Sequence, residues 1–533
     1  MTSAPAPGPG EVRTFASRLP YAPDPVELFG ALGAPRPGVV LDSTAREHHL
    51  ARRSIVLTKA AVTLSCRERT VTLQAHSDNG NAALEHAAGR LADRASTLSK
   101  ERGKLIADFG PRPDEGLLDT ERLQEPSPLD ALRAVTTGYT PLGEPEPYAV
   151  LAAGVFAYDL IDTVESLPGP RLDPLDYPNF LFWLAEELVI VEHPSETCRV
   201  ITTVFGGDGD RCEVDHRSHA RVVDTLRRLR ERPSEAQLPS PPRDRVAGSG
   251  PVASFPDLEV SLSDEQYARQ VAELKERIFE GEVFQIVPSR VFGLPCPNPL
   301  AAYRALRVSN PSPHMFFVAA NDHTLFGTSP ETAVEVRRQG AERMLRLRPI
   351  AGTRGRAEDA DEDDRLEAEL RLDTKEIAEH MMLVDLARND AARVCLPGQR
   401  SMRQLLGVDR YARVMHLVST VCGTLRPELD ALHALEATLN MGTVVGAPKL
   451  RAAELLREVE ATKRGPYAGS VGYFTNEGEL DTALTIRAAL VKEGSARVQA
   501  GAGVVADSDP MAEAIETRRK AQALLDALKA VAS

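Results

Sequence analysis

One segment of the chain places carboxylates in a stretch that otherwise looks buried, and this conflict constrains the fold more than any other feature. The segment reads DTKEIAEHMMLVDLARND and covers residues 373–390. Its polar residues Glu376, Glu379 and His380 fall on roughly one face of a helix. An exposed stripe with i,i+4 ion pairs is the usual explanation for a single Glu-x-x-Glu pair. Burial of this face requires partners from elsewhere in the chain.

The last helical segment carries a second Glu-x-x-Glu pair, Glu513 and Glu516, and Lys520 lies four residues after Glu516. Two helices that each present two carboxylates could converge on a hard divalent cation. Mg²⁺ prefers oxygen ligands, and it usually keeps waters or binds through an anionic substrate. Solvated helix faces explain both pairs about equally well, so a magnesium site and two exposed faces remain alternatives at this point.

The composition is that of an ordinary globular protein, with 533 residues, 42% hydrophobic and 26% charged. A net charge of −14 argues against a general nucleic-acid binder but leaves anionic small substrates open. The six cysteines form no C-x-x-C pair, which argues against a zinc ribbon or a disulfide framework. The N-terminus lacks the pattern of a secretory signal, and the longest apolar run is too short to span a bilayer. We therefore expect a cytoplasmic protein.

A stretch rich in proline and serine divides the chain. We predict a disordered tail over residues 1–12, an N-terminal region over residues 13–231, a linker over residues 232–254 and a second region over residues 255–533. Strand-like alternation, as in SIVLTKAAVTLS and CRVITTVF, is interspersed with helical stretches. The predicted class is α+β or mixed α/β with large sheets.

Several elements of the second region can be predicted one by one. Ser263 and Gln266 have capping-box spacing at the start of a helix that ends near Gly281. FQIVPSRVF, ELDTALTIRAALV and ARVQAGAGVVA are predicted strands. One long helix is predicted from about residue 362 to residue 394, and a final helix begins near Pro510.

Two glycine-rich segments, GTVVGAPK and AGAGVVADSDP, could bring backbone N–H groups close to an anion. The first is not a P-loop, because an Ala-Pro dipeptide separates its second glycine from the lysine and a leucine follows. Tight turns remain the alternative for both. In the predicted strand TALTIRAAL, Arg487 points to the face opposite its apolar neighbours. A buried arginine there needs an anion, either a substrate carboxylate or a structural salt-bridge partner.

The motifs occur in an order that identifies a family. They are FQIVPSR, NPSPHMFF, GTSPE, PIAGTRGR, KEIAEHMMLVDLARND, VMHLVS, GTVVGAPK and AGAGVVADSDP. This order resembles the chorismate-utilising enzymes, and within them the anthranilate synthases. VVLDS, VTLQAHSDNG and GVFAYDL extend the resemblance into the N-terminal region. It implies a large two-layered β-sandwich surrounded by helices, with the N-terminal region packed into the common fold.

The resemblance implies a site for Mg²⁺ and chorismate. Glu376 and Glu516 match the direct metal ligands, and Glu379 and Glu513 match positions beside them. The residues that match substrate-binding positions are Tyr467, Arg487, Gly501, Ala502, Gly503, Lys520 and Thr353.

The implied reaction converts chorismate and ammonia into anthranilate and pyruvate. Glu331 matches the general acid for departure of the ring hydroxyl, and Thr443 matches a neighbouring active-site threonine. His416 matches the histidine linked to pyruvate elimination. As an isolated residue, His416 would more often be a satisfied core histidine.

Two positions separate this chain from relatives with other products. Isochorismate and salicylate synthases carry a water-activating lysine where Gln285 stands, and aminodeoxychorismate synthases carry a nucleophilic lysine where Ala351 stands. Neither residue can replace lysine, which favours ammonia as the nucleophile. An aminodeoxyisochorismate synthase and a non-catalytic amino-acid-sensing subunit remain alternatives. His416 argues against the first, and the four glutamates argue against the second.

The chain is expected to obtain ammonia from outside. A glutaminase needs a Gly-x-Cys-x-Gly elbow, and none of the six cysteines has that context. Ammonia is therefore used directly or supplied by a separate glutamine amidotransferase subunit. The resemblance implies a hetero-oligomer with two of each subunit, in which residues 13–231 form the regulatory and partner-binding region.

The resemblance also implies feedback inhibition by tryptophan at a site away from the metal. The matching positions are Ser43, Arg53, Pro313, Met315 and Tyr473. The chain departs from the family pattern nearby, since Asp42 replaces a glutamate and His314 replaces a tyrosine. An amino acid requires opposite charges at its two ends and an apolar slot, which this mixed set can offer.

Overall fold

The computed structural model describes residues 7–34, 36–43, 53–112, 119–169, 171–207, 216–231, 257–357, 359–411 and 414–532. The predicted linker, residues 232–254, lies outside this part of the chain. Strand β1 begins at Glu11, inside the tail that was predicted to reach residue 12.

The described residues form 25 strands. In chain order they are β1 (Glu11–Leu19), β2 (Gly38–Asp42), β3 (Arg53–Arg67), β4 (Thr70–Ala75), β5 (Thr97–Glu101), β6 (Lys104–Asp108), β7 (Thr140–Pro141), β8 (Leu151–Phe156), β9 (Phe180–Glu192), β10 (Thr197–Phe205), β11 (Glu259–Val260), β12 (Gln285–Ile286), β13 (Ser289–Pro295), β14 (His314–Ala319), β15 (His323–Ser329), β16 (Thr332–Gln339), β17 (Glu342–Leu347), β18 (Ile350–Gly355), β19 (Cys395–Arg410), β20 (Val414–Leu425), β21 (Gly446–Ala447), β22 (Ser470–Thr475), β23 (Leu480–Leu484), β24 (Ala488–Lys492) and β25 (Ser495–Gly501).

The helices surround these strands. They are α1 (Pro25–Ala31), α2 (Asp78–Leu91), α3 (Asp119–Arg122), α4 (Leu129–Thr136), α5 (His216–Glu231), α6 (Asp264–Phe279), α7 (Pro299–Ser309), α8 (Ala360–Leu372), α9 (Thr374–Val394), α10 (Ala431–Thr438), α11 (Gly442–Val445), α12 (Lys449–Val459) and α13 (Pro510–Ala532), with a 3₁₀ turn at Tyr158–Thr163.

Two long strands, β3 and β9, pair with each other and belong to both layers of a sandwich. Register shifts between Leu57 and Val62 mark the point where their ladder passes from one layer to the other. The first layer runs β7-β1-β10-β9-β3-β2-β14-β15-β24-β25-β13-β11. The second runs β5-β6-β4-β3-β9-β8-β22-β23-β16-β17-β20, and β18 and β19 also pair with β20. The N-terminal region is thus joined to the second region by the β2–β14 and β8–β22 pairs.

Apolar side chains from both layers meet between them. Val39 and Phe316 from the first layer pack in one buried cluster with Trp183 and Val471 from the second. Helices α1, α5, α7 and α13 cover the outer face of the first layer, and α2, α4, α9 and α10 cover that of the second. The predicted two-layered sandwich surrounded by helices is confirmed.

Local sequence signals located most ends of the elements correctly. The capping box of Ser263 and Gln266 opens α6, and Pro510 is the first residue of α13. The long helix predicted from residue 362 is wrong, because Asp373 has extended backbone between α8 and α9. Its side chain accepts hydrogen bonds from the N–H groups of Lys375 and Glu376, an N-cap that starts a new helix.

Three predicted strands are shorter than expected. FQIVPSRVF is split into β12 and β13 around Val287 and Pro288, since proline cannot donate to a ladder. ELDTALTIRAALV is split into β23 and β24, and Arg487 lies between them with φ of 52°. The prediction that Arg487 lies inside a continuous strand is therefore wrong, and strand alternation does not determine its orientation. The third strand, predicted over ARVQAGAGVVA, ends at Gly501.

Within the described ranges, no helix has the length and apolar character needed to cross a bilayer. The five cysteines described there, at positions 66, 198, 296, 395 and 422, are free and buried.

Candidate active site

Helices α9 and α13 direct the two Glu-x-x-Glu pairs toward a common space. Burial raises the pKa of Glu379, and the negative charges of Glu376, Glu513 and Glu516 raise it further. The carboxylates of both helices therefore lie within range of each other's charge. The faces are electrostatically coupled, and the side chain of Glu516 is still 46% exposed.

Each of the four carboxylates has a nearby donor from the chain itself. Glu376 accepts a hydrogen bond of 3.1 Å from Arg354, and Glu516 lies 2.6 Å from Lys520. Glu513 accepts from the hydroxyl of Ser508 at 2.7 Å. The positive charge of Lys520 lowers the pKa of Glu516, so this carboxylate is ionised. Glu379 has the weakest contact, 3.8 Å to Lys375.

The donor set suits Mg²⁺, although the carboxylates are not drawn together as a closed cage. Among the described residues, no three histidine, cysteine, aspartate or glutamate side chains already form a group that could hold a metal ion. Mg²⁺ does not need such a cage, because it binds through one or two carboxylates and completes its shell with waters and an anionic substrate. The four glutamates fit that requirement, and their role as ligands stays a prediction.

Glu331 forms the most strongly perturbed acid of the site. It follows β15, is 5% exposed and accepts a 3.0 Å hydrogen bond from the hydroxyl of Thr443 in α11. Burial raises its pKa to about 8, and the hydrogen bond from Thr443 opposes that rise only in part. Glu331 is therefore protonated at neutral pH, as a general acid must be.

His416 lies on β20 opposite the segment Gly352–Thr353 of β18. Its Nδ1 is 2.9 Å from the hydroxyl of Thr353 and 3.3 Å from the carbonyl oxygen of Gly352. Burial lowers its pKa to about 4, and the positive charges of Arg487 and Lys520 lower it as well. The imidazole is neutral at pH 7. When Nδ1–H donates to Gly352, Nε2 keeps a free lone pair.

A positively charged corner lies beside the α13 carboxylates. Arg487 is half-buried and donates a 3.1 Å hydrogen bond to the carbonyl of Lys520, whose Nζ donates to the carbonyl of Gly501 at 3.1 Å. No carboxylate of the described residues lies within 4.0 Å of the guanidinium of Arg487. Of the two alternatives left open by the sequence, a structural salt bridge is therefore not formed in this part of the chain.

The glycines at the end of β25 are required by close neighbours. A Cβ at Gly501 would lie 2.6 Å from the carbonyl oxygen of Pro288 and 3.0 Å from the hydroxyl of Tyr467. A Cβ at Gly503 would lie 2.7 Å from Nε2 of Gln285. Between them, the N–H of Ala502 contacts that same Pro288 carbonyl at 3.3 Å. Burial raises the pKa of Tyr467 to about 12, so its hydroxyl stays a hydrogen-bond donor.

Gln285 adds a polar side chain beside these glycines. Its side chain is 8% exposed, and Oε1 has no hydrogen-bond partner among the described residues. A buried carbonyl oxygen without a donor is costly unless a further molecule supplies one. Ala351, the second discriminating position, lies on β18 one residue before Gly352.

The five predicted inhibitor positions lie in two neighbouring groups. Ser43 donates a 2.9 Å hydrogen bond to the carbonyl of Pro313, and Met315 pairs with Asp42 across β14 and β2. Arg53 lies 5.1 Å above the ring of Tyr148, which packs against Tyr473 at 6.4 Å. Nη1 of Arg53 is buried and has no hydrogen-bond partner within the described ranges.

The two departures from the family pattern have structural partners of their own. Asp42 is buried and accepts hydrogen bonds from Arg307 at 2.7 Å and from Ser54 at 3.0 Å. His314 lies 3.0 Å from the hydroxyl of Thr332, the residue that follows the acid Glu331.

Sequence reasoning missed three residues of these sites. Arg354 on β18 donates hydrogen bonds to the carboxylate of Glu376 and to that of Asp373, the N-cap of α9. Tyr148 lies under the guanidinium of Arg53. Arg354 stands in the motif PIAGTRGR, so its charge could have been noticed. Tyr148 carries no local signal, because only the β8–β22 pairing brings it to Tyr473.

Comparisons with known proteins reach the family that the order of the motifs indicated. Residues 41–526 match the family of chorismate binding enzymes. The chain is 45% identical over 521 residues to anthranilate synthase component 1 of Vibrio cholerae, covering 96% of this chain and 95% of that protein. It is 43% identical over 520 residues to anthranilate synthase component 1 of Escherichia coli, covering 95% of each.

Among solved structures, anthranilate synthase component I from Streptococcus pneumoniae superposes with a TM-score of 0.63 at 28% identity, over 89% of this chain and 92% of that one.

Proposed function

The chain belongs to the family of chorismate binding enzymes and acts on chorismate, and from this premise we propose that it is the large subunit of an anthranilate synthase. It converts chorismate and ammonia into anthranilate, pyruvate and water. The observation that carries this proposal is the buried acid Glu331, whose pKa of about 8 keeps its proton available at neutral pH. The extent of identity to proteins with that activity supports the same product.

The first chemical step forms a C–N bond and breaks a C–O bond. Ammonia attacks a ring carbon, the ring double bonds shift, and the ring hydroxyl leaves as water with the proton of Glu331. A poor leaving group of this kind needs general acid catalysis. Thr443 holds the carboxyl of Glu331 in one orientation, because its hydroxyl donates to Oε1.

Gln285 and Ala351 favour ammonia over other nucleophiles. Neither side chain can remove a proton from water or attack the substrate. Nε2 of Gln285 lies toward Gly503, and its buried Oε1 has no partner among the described residues, so an N–H group of ammonia would satisfy this acceptor. This supports an amine product over a hydroxylated one.

The positive corner binds the substrate carboxylates. Arg487 has no carboxylate partner in the described chain, and Tyr467 keeps its hydroxyl proton, so the two suit the enolpyruvyl carboxylate. The backbone at Gly501, Ala502 and Gly503 can approach the ring carboxylate closely because side chains are small there. Lys520 lies beside these groups through its hydrogen bond to Gly501, and Thr353, which contacts His416, would complete the substrate-binding set.

The glutamates Glu376 and Glu516 would hold Mg²⁺, with Glu379 and Glu513 beside them. When bound, Mg²⁺ would supply positive charge for the ring carboxylate and for charge that develops in the ring. The chain's own contribution is to gather four carboxylates whose repulsion a cation relieves.

His416 serves the second step. As a neutral base with a free Nε2, it takes the ring proton while the C–O bond to the enolpyruvyl group breaks. The ring becomes aromatic, the C–O electron pair leaves with the enolpyruvyl group as the enolate, and this enolate takes up one proton at carbon to give pyruvate, which balances the proton taken by His416. The pKa of about 4 keeps the imidazole neutral at working pH, as a base must be, and it also makes Nε2 weakly basic, so aromatisation of the ring supplies the driving force for proton removal.

Ammonia would come from a glutamine amidotransferase subunit in a hetero-oligomer with two of each chain. Burial raises the pKa of the described cysteine thiols, for example to about 11 for Cys296 and Cys395. Such thiols are poor nucleophiles at neutral pH. Their free state also suits a reducing cytoplasm.

Tryptophan would act as a feedback inhibitor at Ser43, Arg53, Pro313, Met315 and Tyr473. Among the described residues the buried Nη1 of Arg53 has no hydrogen-bond partner, and a ligand carboxylate would provide one. Tyr148 and Tyr473 form an aromatic wall suited to an indole.

The direct test incubates the purified chain with chorismate, Mg²⁺ and ammonium and follows anthranilate fluorescence. We expect Mg²⁺-dependent anthranilate with ammonium, and no product with glutamine until an amidotransferase subunit is added. A non-aromatic amino product alone would indicate an aminodeoxyisochorismate synthase. Absence of any chorismate consumption would indicate a non-catalytic sensing subunit.

A further inference from the structure

Arg354 occupies one of the carboxylates on which the proposed metal site depends. Its Nη1 donates to Oε1 of Glu376 at 3.1 Å, and its Nη2 donates to Oδ2 of Asp373 at 2.7 Å. The side chains of Arg354, Glu376 and Asp373 are between 24% and 31% exposed, so the ion pairs are half-buried. One guanidinium thus links β18 to two acidic residues at the start of α9.

The four glutamates need positive charge even when no metal is bound. Glu376, Glu513 and Glu516 each raise the pKa of Glu379, which shows that like charges crowd this space. Lys520 neutralises Glu516 within its own helix, at i,i+4 spacing. Arg354 provides the corresponding charge for Glu376, but it does so from another element.

A guanidinium and a divalent cation cannot share Oε1 of Glu376 without strong repulsion. Two positive groups about 4 Å apart in a partly buried site repel each other, and a divalent ion doubles that repulsion. The other oxygen, Oε2, lies against β18 beside Gly352, where an added Cβ would be 3.2 Å from it, and Oε1 is the oxygen that accepts from Arg354. A cation at Glu376 therefore requires Arg354 to withdraw.

Asp373 gives Arg354 a place to withdraw to. The Nη2 contact to Asp373 is the shorter of the two, and Asp373 is not one of the four glutamates. Asp373 also caps α9 through Oδ1, which leaves Oδ2 for the guanidinium. Release of Glu376 thus costs Arg354 only one of its two carboxylate contacts.

We propose that Arg354 is a built-in counter-ion that competes with the divalent cation for Glu376 and remains on Asp373 when the cation binds. The inference rests on the proposed metal site, and it concerns the affinity of that site rather than the reaction. It explains why the carboxylates converge although no three of them form a metal-binding group in the described residues.

The test measures Mn²⁺ binding to metal-free protein without chorismate, from the electron paramagnetic resonance signal of the free ion. Arg354→Gln is expected to bind Mn²⁺ about three- to tenfold more tightly than the wild type, the range expected for loss of one half-exposed ion pair. Asp373→Asn is expected to bind more weakly, about two- to threefold, because Arg354 then has only Glu376 as a charged partner. Asparagine preserves the N-cap of α9.

The matched control is Arg371→Gln. Arg371 pairs with Glu367 at 2.8 Å on α8, is more exposed than Arg354 and forms no ion pair with the four glutamates, so it tests the loss of an arginine charge away from the site. We expect no change in its Mn²⁺ affinity. Thermal unfolding of each variant checks the fold, and Arg354→Lys, with an intermediate expected affinity, replaces Arg354→Gln if the latter does not melt cooperatively.

Binding to Arg354→Gln but not to the wild type also supports competition. Equal or weaker binding by Arg354→Gln overturns it, as does binding by neither protein. An unchanged affinity in Asp373→Asn overturns the role of Asp373. None of these outcomes depends on turnover, so failure of the proposed activity would appear separately, in the fluorescence assay with Mg²⁺.

Discussion

The hydroxyl of Thr443 donates a 3.0 Å hydrogen bond to Oε1 of Glu331, and it links a four-residue helix to the acid that follows β15. The bond stabilises the ionised form of Glu331, whereas burial favours the protonated form and is the larger effect. Burial therefore keeps Glu331 protonated for the proposed first step, and the hydrogen bond from Thr443 partly offsets the rise in its pKa.

Loss of this acid should abolish most of the activity. Glu331→Gln is expected to lower kcat by about 10²–10⁴-fold, since an amide cannot give up a proton. In the wild type, activity should fall as pH rises through about 8, because the protonated acid disappears. Thr443→Val should move this fall to higher pH, as it removes a bond to the ionised form. Rates at a fixed concentration of free ammonia measure the profile, and an unchanged profile in Thr443→Val contradicts the assignment.

Glu331→Gln should also change the free energy of unfolding, by an amount that depends on pH. The folded pKa of Glu331, about 8, lies above its ordinary value of 4.5, so the wild type loses stability as pH rises from 4.5 to 8. Glu331→Gln avoids this loss and should be more stable at pH 8.5 by roughly 3–5 kcal/mol, the value of the shift. At pH 4.5 the two proteins should melt at similar temperatures. Thermal unfolding at both values is the measurement, and equal melting at pH 8.5 would falsify the buried acid.

The carboxylates of α9 and α13 should be essential for turnover. Glu376→Gln and Glu516→Gln each remove a charged oxygen donor and are expected to abolish anthranilate formation at ordinary Mg²⁺. Glu367→Gln, which changes an ion-paired glutamate on α8, serves as the control and should stay active. Near-normal rates in either of the first two variants would remove the metal assignment.

His416→Ala should separate the two chemical steps. Amination needs Glu331 and continues, whereas pyruvate elimination loses its base, so a non-aromatic amino intermediate accumulates. Because the pKa of His416 is lowered to about 4, elimination by the wild type should show no loss of rate between about pH 5.5 and pH 7. Chromatography of the products gives the answer. Anthranilate alone, formed at a normal rate, would mean that His416 is structural.

The proposed inhibitor site should respond to a change at Ser43. Its hydroxyl donates to the carbonyl of Pro313, so Ser43→Phe places a large ring between β2 and β14. We expect weaker inhibition by tryptophan, by about 5- to 150-fold if the whole coupling between the sites is lost. Basal activity should change little. Titration of anthranilate formation with tryptophan measures the effect, and an equal response in both proteins would argue against this location.

Local patterns were sufficient for many elements of both regions. The capping box at Ser263, the start of α13 at Pro510 and the alternation in β3 and β10 all lie where the sequence indicated. These features depend on residues within one or two turns or strand repeats of each other. Their energies are set by neighbours in the chain, so they survive in any fold.

The points at which a predicted helix or strand is interrupted were harder to predict from the sequence. Asp373 was predicted to lie within one long helix. In the structure its side chain caps α9, so α8 and α9 are separate helices. Arg487 looked like a strand residue, yet it adopts a left-handed conformation between β23 and β24. Each case reflects a competition in which a side-chain or tertiary contact overrides the local preference.

By itself, the sequence determined the residue types of the site and the helices that carry them, because the order of its motifs is specific and its helical spacing puts Glu376 near Glu379 and Glu513 near Glu516. Only the tertiary structure decided that these pairs face each other, that Arg354 reaches Glu376, and that Arg53 lies above Tyr148. The physical reason is that these contacts join segments far apart in the chain. Their geometry depends on which strands pair across the two layers, and no local periodicity encodes that choice.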